Sequence, residues 1–306
     1  MQDTDLLLET PRTSSIRPDP VAVRNILLAT DFSECSTRAL SHALGIASRN
    51  ESRLHLFHCV DPRPYNLADP AAIQTACDDA QRDLERLVSD LRRQAGTRNV
   101  EITIGVSAGD LTHLLANTVK DHNVDLIVVG THGRTGWRKA VLGSVAEVVM
   151  EQSCCPVLSV GRFVDRTRIQ DFGLESILLV CDVSVPSQLA ESYAISLARV
   201  HGSQLNVVEL LHDGGGRVLG QMSGLEWSER AVRNLGVNTG LTVPAQMPID
   251  IGAQSDLILQ VADQTAADLI VLAVPATHKF TDRFLSTNSY RVICGARCPV
   301  LTVHAQ

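Results

Sequence analysis

The sequence predicts two tandem α/β domains, each an open parallel, Rossmann-like sheet with helices on both faces. Three observations lead there. Short continuous Val/Ile/Leu runs alternate with segments of helical period, the pattern of βα units whose strands are buried on both sides. The core is aliphatic and ample, since 44% of the 306 residues are hydrophobic and only 4% aromatic. Finally, the chain repeats itself. Asn25-Ile-Leu-Leu-Ala-Thr-Asp31-Phe-Ser33 returns as Ser176-Ile-Leu-Leu-Val-Cys-Asp182-Val-Ser184, and Ser52-Arg-Leu-His-Leu-Phe as Ser203-Gln-Leu-Asn-Val-Val. Val124-Asp-Leu-Ile-Val-Val-Gly130 returns as Ala267-Asp-Leu-Ile-Val-Leu-Ala273, and Cys155-Pro-Val-Leu-Ser-Val160 as Cys298-Pro-Val-Leu-Thr-Val303. A repeat of that length is a whole domain, not a solenoid unit.

The expected division is a flexible tail over 1–21, which holds three prolines and no periodicity, a first domain over 22–162, a linker over 163–172 and a second domain over 173–306. In the first domain Asn25–Thr30 is a strand, and Ser33 caps a helix whose apolar face is Leu40, Ala43, Leu44 and Ala47. Arg53–Val60 is the second strand. After the turn Asp61-Pro-Arg-Pro64 comes a longer helix carrying Leu84, Leu87, Val88 and Leu91, which Gly96 closes. Val100–Val106 is the third strand. Asp110 caps a helix that turns Leu111, Leu114, Leu115 and Val119 inward. Leu126–Val129 is the fourth strand, a helix follows from Val145, and Val157–Val160 is the last strand.

In such sheets ligands sit beyond the carboxyl ends of the strands, where the strand order reverses. Ala29, Thr30 and Asp31 end the first strand, and the fourth runs into Gly130-Thr-His132-Gly133-Arg134 and, further on, Gly143-Ser144-Val145. Glycines let a backbone approach a ligand closely, and a helix N-terminus offers free N–H groups and the positive end of its dipole. Phosphate is the expected anion, with Gly133 and Gly143 offering backbone to it. The spacing is neither G-x-x-x-x-G-K-[ST] nor G-x-G-x-x-G. Ser144 and Glu147 fit a capping box, so the Ser144 hydroxyl has a structural use beside any contact with phosphate. Arg134 can bind phosphate through its guanidinium or stay solvated, as Arg138 and Lys139 can. His132 is expected to be a solvated loop histidine, with a phosphate contact as the alternative, and His58 a core or strand-end side chain.

The pattern Gly130-x2-Gly133-x9-Gly143-Ser144, with DLIVVG before it and LGSVAEVV and CPVLSV after it, resembles the ATP-binding signature of the universal stress protein family. The resemblance spans both halves, and the nucleotide signature only the first. It implies that Gly130, Gly133, Gly143, Ser144 and Val145 line the ribose and triphosphate, and that Asp31 and Cys59 lie beside the base. Ala29, Thr30, His132 and Arg134, which stand at the same edge, complete the expected site, with Mg²⁺ accompanying the phosphates. Single-domain members pair through their last strand, which implies that Val157–Val160 and Val300–Val303 pair within this chain, and whole chains can form a homodimer. The second half has Ala273, Ala276, Ser286 and Thr287 where the first has Gly130, Gly133, Gly143 and Ser144. With Phe280, Asp282 and Phe284 in its loop as well, it is expected to bind no nucleotide.

A net charge of −7 argues against a general nucleic-acid or anionic-membrane binder. No apolar run reaches membrane-spanning length, and the acidic start is unlike a signal peptide, so a cytoplasmic protein is expected. Eight cysteines in so long a chain read as thiols, without the paired spacing of structural zinc. No Walker-B acid, G-x-S-x-G elbow or H-E-x-x-H helix can be assigned. The reading is a non-enzymatic ATP-binding module of a stress response, read by protein partners. A slow ATPase, with Asp31 holding Mg²⁺ and Arg134 supplying charge, and an interaction scaffold are the alternatives.

Overall fold

The computed structural model describes residues 22–62, 69–93, 99–132, 142–153, 155–164, 173–182, 188–212, 218–221, 247–249, 254–274 and 287–304. In the first half these residues form β1 (Asn25–Ala29), α1 (Glu34–Asn50), β2 (Arg53–Val60), α2 (Pro70–Arg93) and β3 (Ile102–Ala108). There follow α3 (Leu111–Asp121), β4 (Leu126–Gly130), α4 (Ser144–Gln152) and β5 (Val157–Val160). The second half forms β6 (Ser176–Asp182), α5 (Gln188–His201), β7 (Gln204–His212), β8 (Val218–Gln221) and β9 (Met247–Ile249). It closes with α6 (Gln254–Gln264), β10 (Leu269–Val274), α7 (Thr287–Gly295) and β11 (Val300–His304).

Two of the three predicted N-caps of the first half are present. The Ser33 side chain accepts from the Ser36 amide and starts α1, and the Asp110 side chain accepts from the His113 amide and starts α3. β1 stops one residue short of its expected end, and β3 begins two residues later than expected, at Ile102. Gly96 lies outside the described residues. At the amino edge the Asp125 carboxylate accepts from the amides of Arg24 and Asn25, at 2.8 and 2.9 Å. Asp268 repeats this in the second half, accepting from Glu175 and Ser176 at 2.9 and 3.1 Å. The aspartate of each D-L-I run is thus a staple that holds the first strand of its domain.

The described strands form one eleven-stranded sheet in the order β3-β2-β1-β4-β5-β11-β10-β6-β7-β8-β9. β5 and β11 meet antiparallel, with Leu158 opposite Leu301, so the two halves pair within the chain through their last strands. Registers match on either side of this seam: Ile127 lies opposite Val157 and Ile270 opposite Val300. The sheet is parallel within each half, as expected, except at the far edge of the second. There β8 runs antiparallel to both β7 and β9, whereas β3 of the first half pairs directly and in parallel with β2. A reversing connection after β7 inserts a strand between positions that are adjacent in the first half.

Alternate strand residues feed two cores, as the period of two requires. Ile26 and Leu28 belong to the core shared by α1, α2 and α5, and Leu27 and Ala29 to the core shared by α3, α4, α6 and α7. Both cores run through the seam, since Leu158 and Leu301 belong to the first, and Val157 and Val300 to the second. Each such buried aliphatic side chain contributes about 1.5–3 kcal/mol, so the seam is part of the hydrophobic core and not a contact between finished domains. The seven described cysteines are free thiols, and no helix among the described residues is long and apolar enough to cross a membrane.

Candidate functional site

In the first half the strand order reverses between β1 and β4, with β2 and β3 on one side and β5 on the other. The carboxyl ends of these two strands therefore face a crevice. Ala29, the last residue of β1, is buried with its side chain toward α3 and α4. Thr30 donates its amide to the Phe57 carbonyl at 2.9 Å, which ties the end of β1 to β2. Its carbonyl lies 2.8 Å from His58 Nδ1. A carbonyl only accepts, so Nδ1 carries the hydrogen, and His58 is a strand-end residue that fixes the turn.

The turn itself is tight. Asp31 Oδ1 accepts from the Ser33 amide at 3.0 Å, an Asx turn. Phe32 takes a left-handed conformation, φ 61°, and its ring lies 4.8 Å from that of His58. Ser33 Oγ, besides capping α1, donates to the His132 carbonyl at 3.2 Å and joins the loop after β1 to the loop after β4.

Gly130 ends β4, and its lack of a side chain has a packing cause. A Cβ there would lie 2.6 Å from backbone atoms of Cys35 and Ser36, in the first turn of α1. Thr131, wholly buried, donates its amide to Val160 at 3.0 Å and accepts the Gly143 amide at 2.8 Å. Its hydroxyl lies 2.8 Å from His132 Nδ1. His132 is 7% exposed, which corrects the expectation of a solvated loop histidine. Burial first, and the Arg162 charge second, lower its pKa, and its Nε2 meets no hydrogen-bond partner among the described residues.

The start of α4 also differs from expectation. Gly143, extended at φ −67° and ψ 148°, is the N-cap, and no side chain caps the helix. Ser144 is the first helical residue and is exposed, so the Ser144–Glu147 capping box does not form. The cause lies outside the helix. The Thr131 carbonyl takes the Gly143 amide and places that residue at the boundary, one position earlier than Ser144. Gly143 therefore has no amide left for a ligand, and the first open N–H groups of α4 belong to Ser144 and Val145. Val145 is half-buried against the α3/α4 core. Across the crevice Cys59, half-buried near the end of β2, points its Sγ to the Gly109 carbonyl at 3.6 Å. Gly133, Arg134, Arg138 and Lys139 lie outside the described residues.

The crevice thus brings together Ala29, Thr30, Asp31, Gly130, His132, Gly143, Ser144 and Val145, with Cys59 at its β2 side. It can present open helix amides and a dipole to an anion at one end, and a turn bearing the Asp31 carboxylate at the other. No group of three or more His, Cys, Asp or Glu side chains among the described residues could hold a metal. Sequence reasoning missed Thr131, which ties the Gly143 turn in place, and Tyr290, whose hydroxyl accepts the Leu142 amide at 2.6 Å across the seam. The one available signal was the mismatch of halves: Tyr290 stands at the position that Glu147 holds in the first repeat. In the second half Ala273 lies opposite Val303 as Gly130 does opposite Val160, and Thr287 begins α7 as Ser144 begins α4. Ala276, Asp282 and Ser286 lie outside the described residues.

The sequence model of the Universal stress protein family matches residues 22–161 and again 173–304. Universal stress protein MJ0531 of Methanocaldococcus jannaschii is 28% identical over 148 residues, covering 48% of this chain and 87% of that protein. Universal stress protein YxiE of Bacillus subtilis is 27% identical over 143 residues, 44% of this chain and 97% of that one. A crystal structure of a universal stress protein from Archaeoglobus fulgidus superimposes with a TM-score of 0.73 at 20% identity, over 93% of this chain and 97% of the other. That likeness extends through both halves and concerns the fold.

Proposed function

The chain belongs to the universal stress protein family, and from that premise we propose that its first half binds ATP or a closely related adenine nucleotide while its second half binds none. The observation that carries the reading is the open amino end of α4 beside the Asp31 turn, at the point where the strand order reverses. The amides of Ser144 and Val145, with the Ser144 hydroxyl, take the phosphates. Charge-assisted bonds of this kind contribute about 1.5–3 kcal/mol each. Gly130 and Gly143 act here as shape, one admitting α1 and the other turning the chain into α4. Gly133, Arg134 and His132 border the phosphates in this proposal, and Mg²⁺ enters with them. Asp31 and Cys59 flank the base, with Ala29 and Thr30 forming the floor at the end of β1. The protein works as a nucleotide-dependent module whose occupied state is read by protein partners. The free thiols fit a reducing compartment, the cytoplasm, as its place of work.

Calorimetric titration of the full-length protein with ATP and Mg²⁺ tests this. A single site per chain is expected. Two equivalent sites would contradict the silent second half, and no binding by folded, nucleotide-free protein would overturn the nucleotide reading.

A further inference from the structure

We propose that the second half is a positioning element for the phosphate turn of the first, with the Tyr290 hydroxyl fixing the entrance to α4. The inference rests on the nucleotide reading above and adds to it the task of the half that carries no signature.

Leu142, 4% exposed, precedes the Gly143 cap, and its amide donates to Tyr290 Oη at 2.6 Å. One residue on, the Gly143 amide donates to the Thr131 carbonyl at 2.8 Å. Two successive amides are thus held from two directions, one by β4's own extension and one by α7 of the other half. The next two amides, of Ser144 and Val145, are those offered to the phosphates, and their direction follows from the two that are held. A backbone turn with one tethered amide can pivot, and one with two is fixed. Fixing donors beforehand removes an ordering penalty from binding.

A second contact brings the end of α7 to the same region. Gly161, just past β5, lies beside the end of α7: a Cβ there would be in ordinary contact with the Ile293 carbonyl oxygen at 3.5 Å and with that of Ala296, just after the helix, at 3.6 Å. The same Cβ would lie 3.8 Å from Thr131 Oγ1, so Gly161 sits between the end of α7 and the residue that holds the Gly143 amide. The device is one-sided. The first half has Glu147 at the matching position of α4, and that residue is exposed. By linkage, phosphates that order the Ser144 turn must also tighten the seam, so the second half registers occupancy of the first.

Tyr290→Phe in the full-length protein keeps the ring and removes the acceptor. Calorimetry with ATP and with adenosine then separates positioning from general loosening. ATP affinity is expected to fall about tenfold with adenosine affinity unchanged, because only ATP reaches the turn. ATP affinity within twofold of wild type, or equal losses for both ligands, would overturn the proposal. Amide hydrogen exchange at Leu142 reads the same contact without nucleotide. Exchange about tenfold faster in the variant is expected, and unchanged exchange refutes the clamp. A wild type that binds no ATP would sink the nucleotide reading while leaving the exchange result to judge the contact. Should the variant not fold, exchange at Leu142 in the wild type decides, with slowing on ATP addition in support and no change against.

Discussion

From the seam outward the two halves share strand order and staples, β5-β4-β1-β2 against β11-β10-β6-β7, yet they treat the same sheet position differently. Gly130 is pressed against the backbone of α1, and Ala273, its repeat partner, carries its methyl group on β10 without a comparable demand. Inside the helices the same contrast recurs. Ala39, Ala43 and Ala47 of α1 match Ala190, Ala194 and Ala198 of α5, all buried, but His42 stands where α5 has Tyr193. Duplication kept the frame, in which each residue is held by neighbours on every side, and let the binding edge and individual buried groups drift apart. A domain needs its strand order to stay folded, and it needs an open helix end only to bind.

Gly130→Ala should separate the halves most strongly. Its new methyl group meets backbone, which cannot swing aside as a side chain could, so a loss of about 3 kcal/mol or more is expected in a denaturant titration. Ala273→Gly should lose about 1 kcal/mol, the ordinary penalty of glycine in a strand. Equal effects would erase the distinction between the two positions.

Titration should then set the matched positions His42 and Tyr193 at opposite ends of the pH scale. Burial pushes the His42 pKa down to about 4. Below about pH 6.5 the unfolded chain takes up a proton here that the folded chain refuses until about pH 4. Stability is therefore full above pH 6.5 and falls through that window, by about 3 kcal/mol for this group. Four further histidines, His55, His132, His201 and His304, shift the same way. Tyr193 does the reverse: burial, then the nearby Cys155 and Asp125, push it up to about 12. The unfolded chain loses this proton above about pH 10, so stability is full below that and falls toward pH 12. His42→Leu should flatten the acid limb and leave the alkaline one, and Tyr193→Phe should do the opposite, as melting temperatures across pH will read. Crossed effects would refute the assignment.

The finest comparison concerns the two helix starts. Proline suits the first helical position, whose amide has no partner within the helix, and Gly143 already has the extended backbone that a residue before proline needs. Ser144→Pro should leave the melting temperature nearly unchanged and weaken ATP binding about tenfold by deleting one donor. Thr287→Pro, at the start of α7, should leave ATP affinity alone. If both variants bind ATP as wild type does, the open end of α4 is not the phosphate site.

Features with local causes were legible in advance. The Ser33 and Asp110 caps depend on an amide three residues away, and the strand runs depend on their own composition. The crevice was legible because strand alternation and the repeat place Asp31 and Gly130 at one edge. The last-strand pairing followed from the resemblance and from two runs apolar enough to pair and be buried. What stayed hidden depended on distant partners. The boundary of α4 slipped by one residue because the Thr131 carbonyl takes the Gly143 amide. His132 is buried although its neighbours in sequence suggest a solvated loop. The antiparallel strand β8 has no counterpart in the first repeat and was not read from the sequence.

By itself, then, the sequence determined the class of fold, the duplication and the edge at which a ligand is to be sought, because hydrophobic period and helix capping are short-range properties of the chain. Tertiary structure decided which amides are open, why Gly130 must be glycine and which half holds the Leu142 turn. Each of those is settled by an atom arriving from another element, as Cys35 and Ser36 of α1 reach Gly130 and Tyr290 of α7 reaches Leu142. No local pattern encodes such a meeting, since its distance exists only once the sheet has closed at the β5–β11 seam.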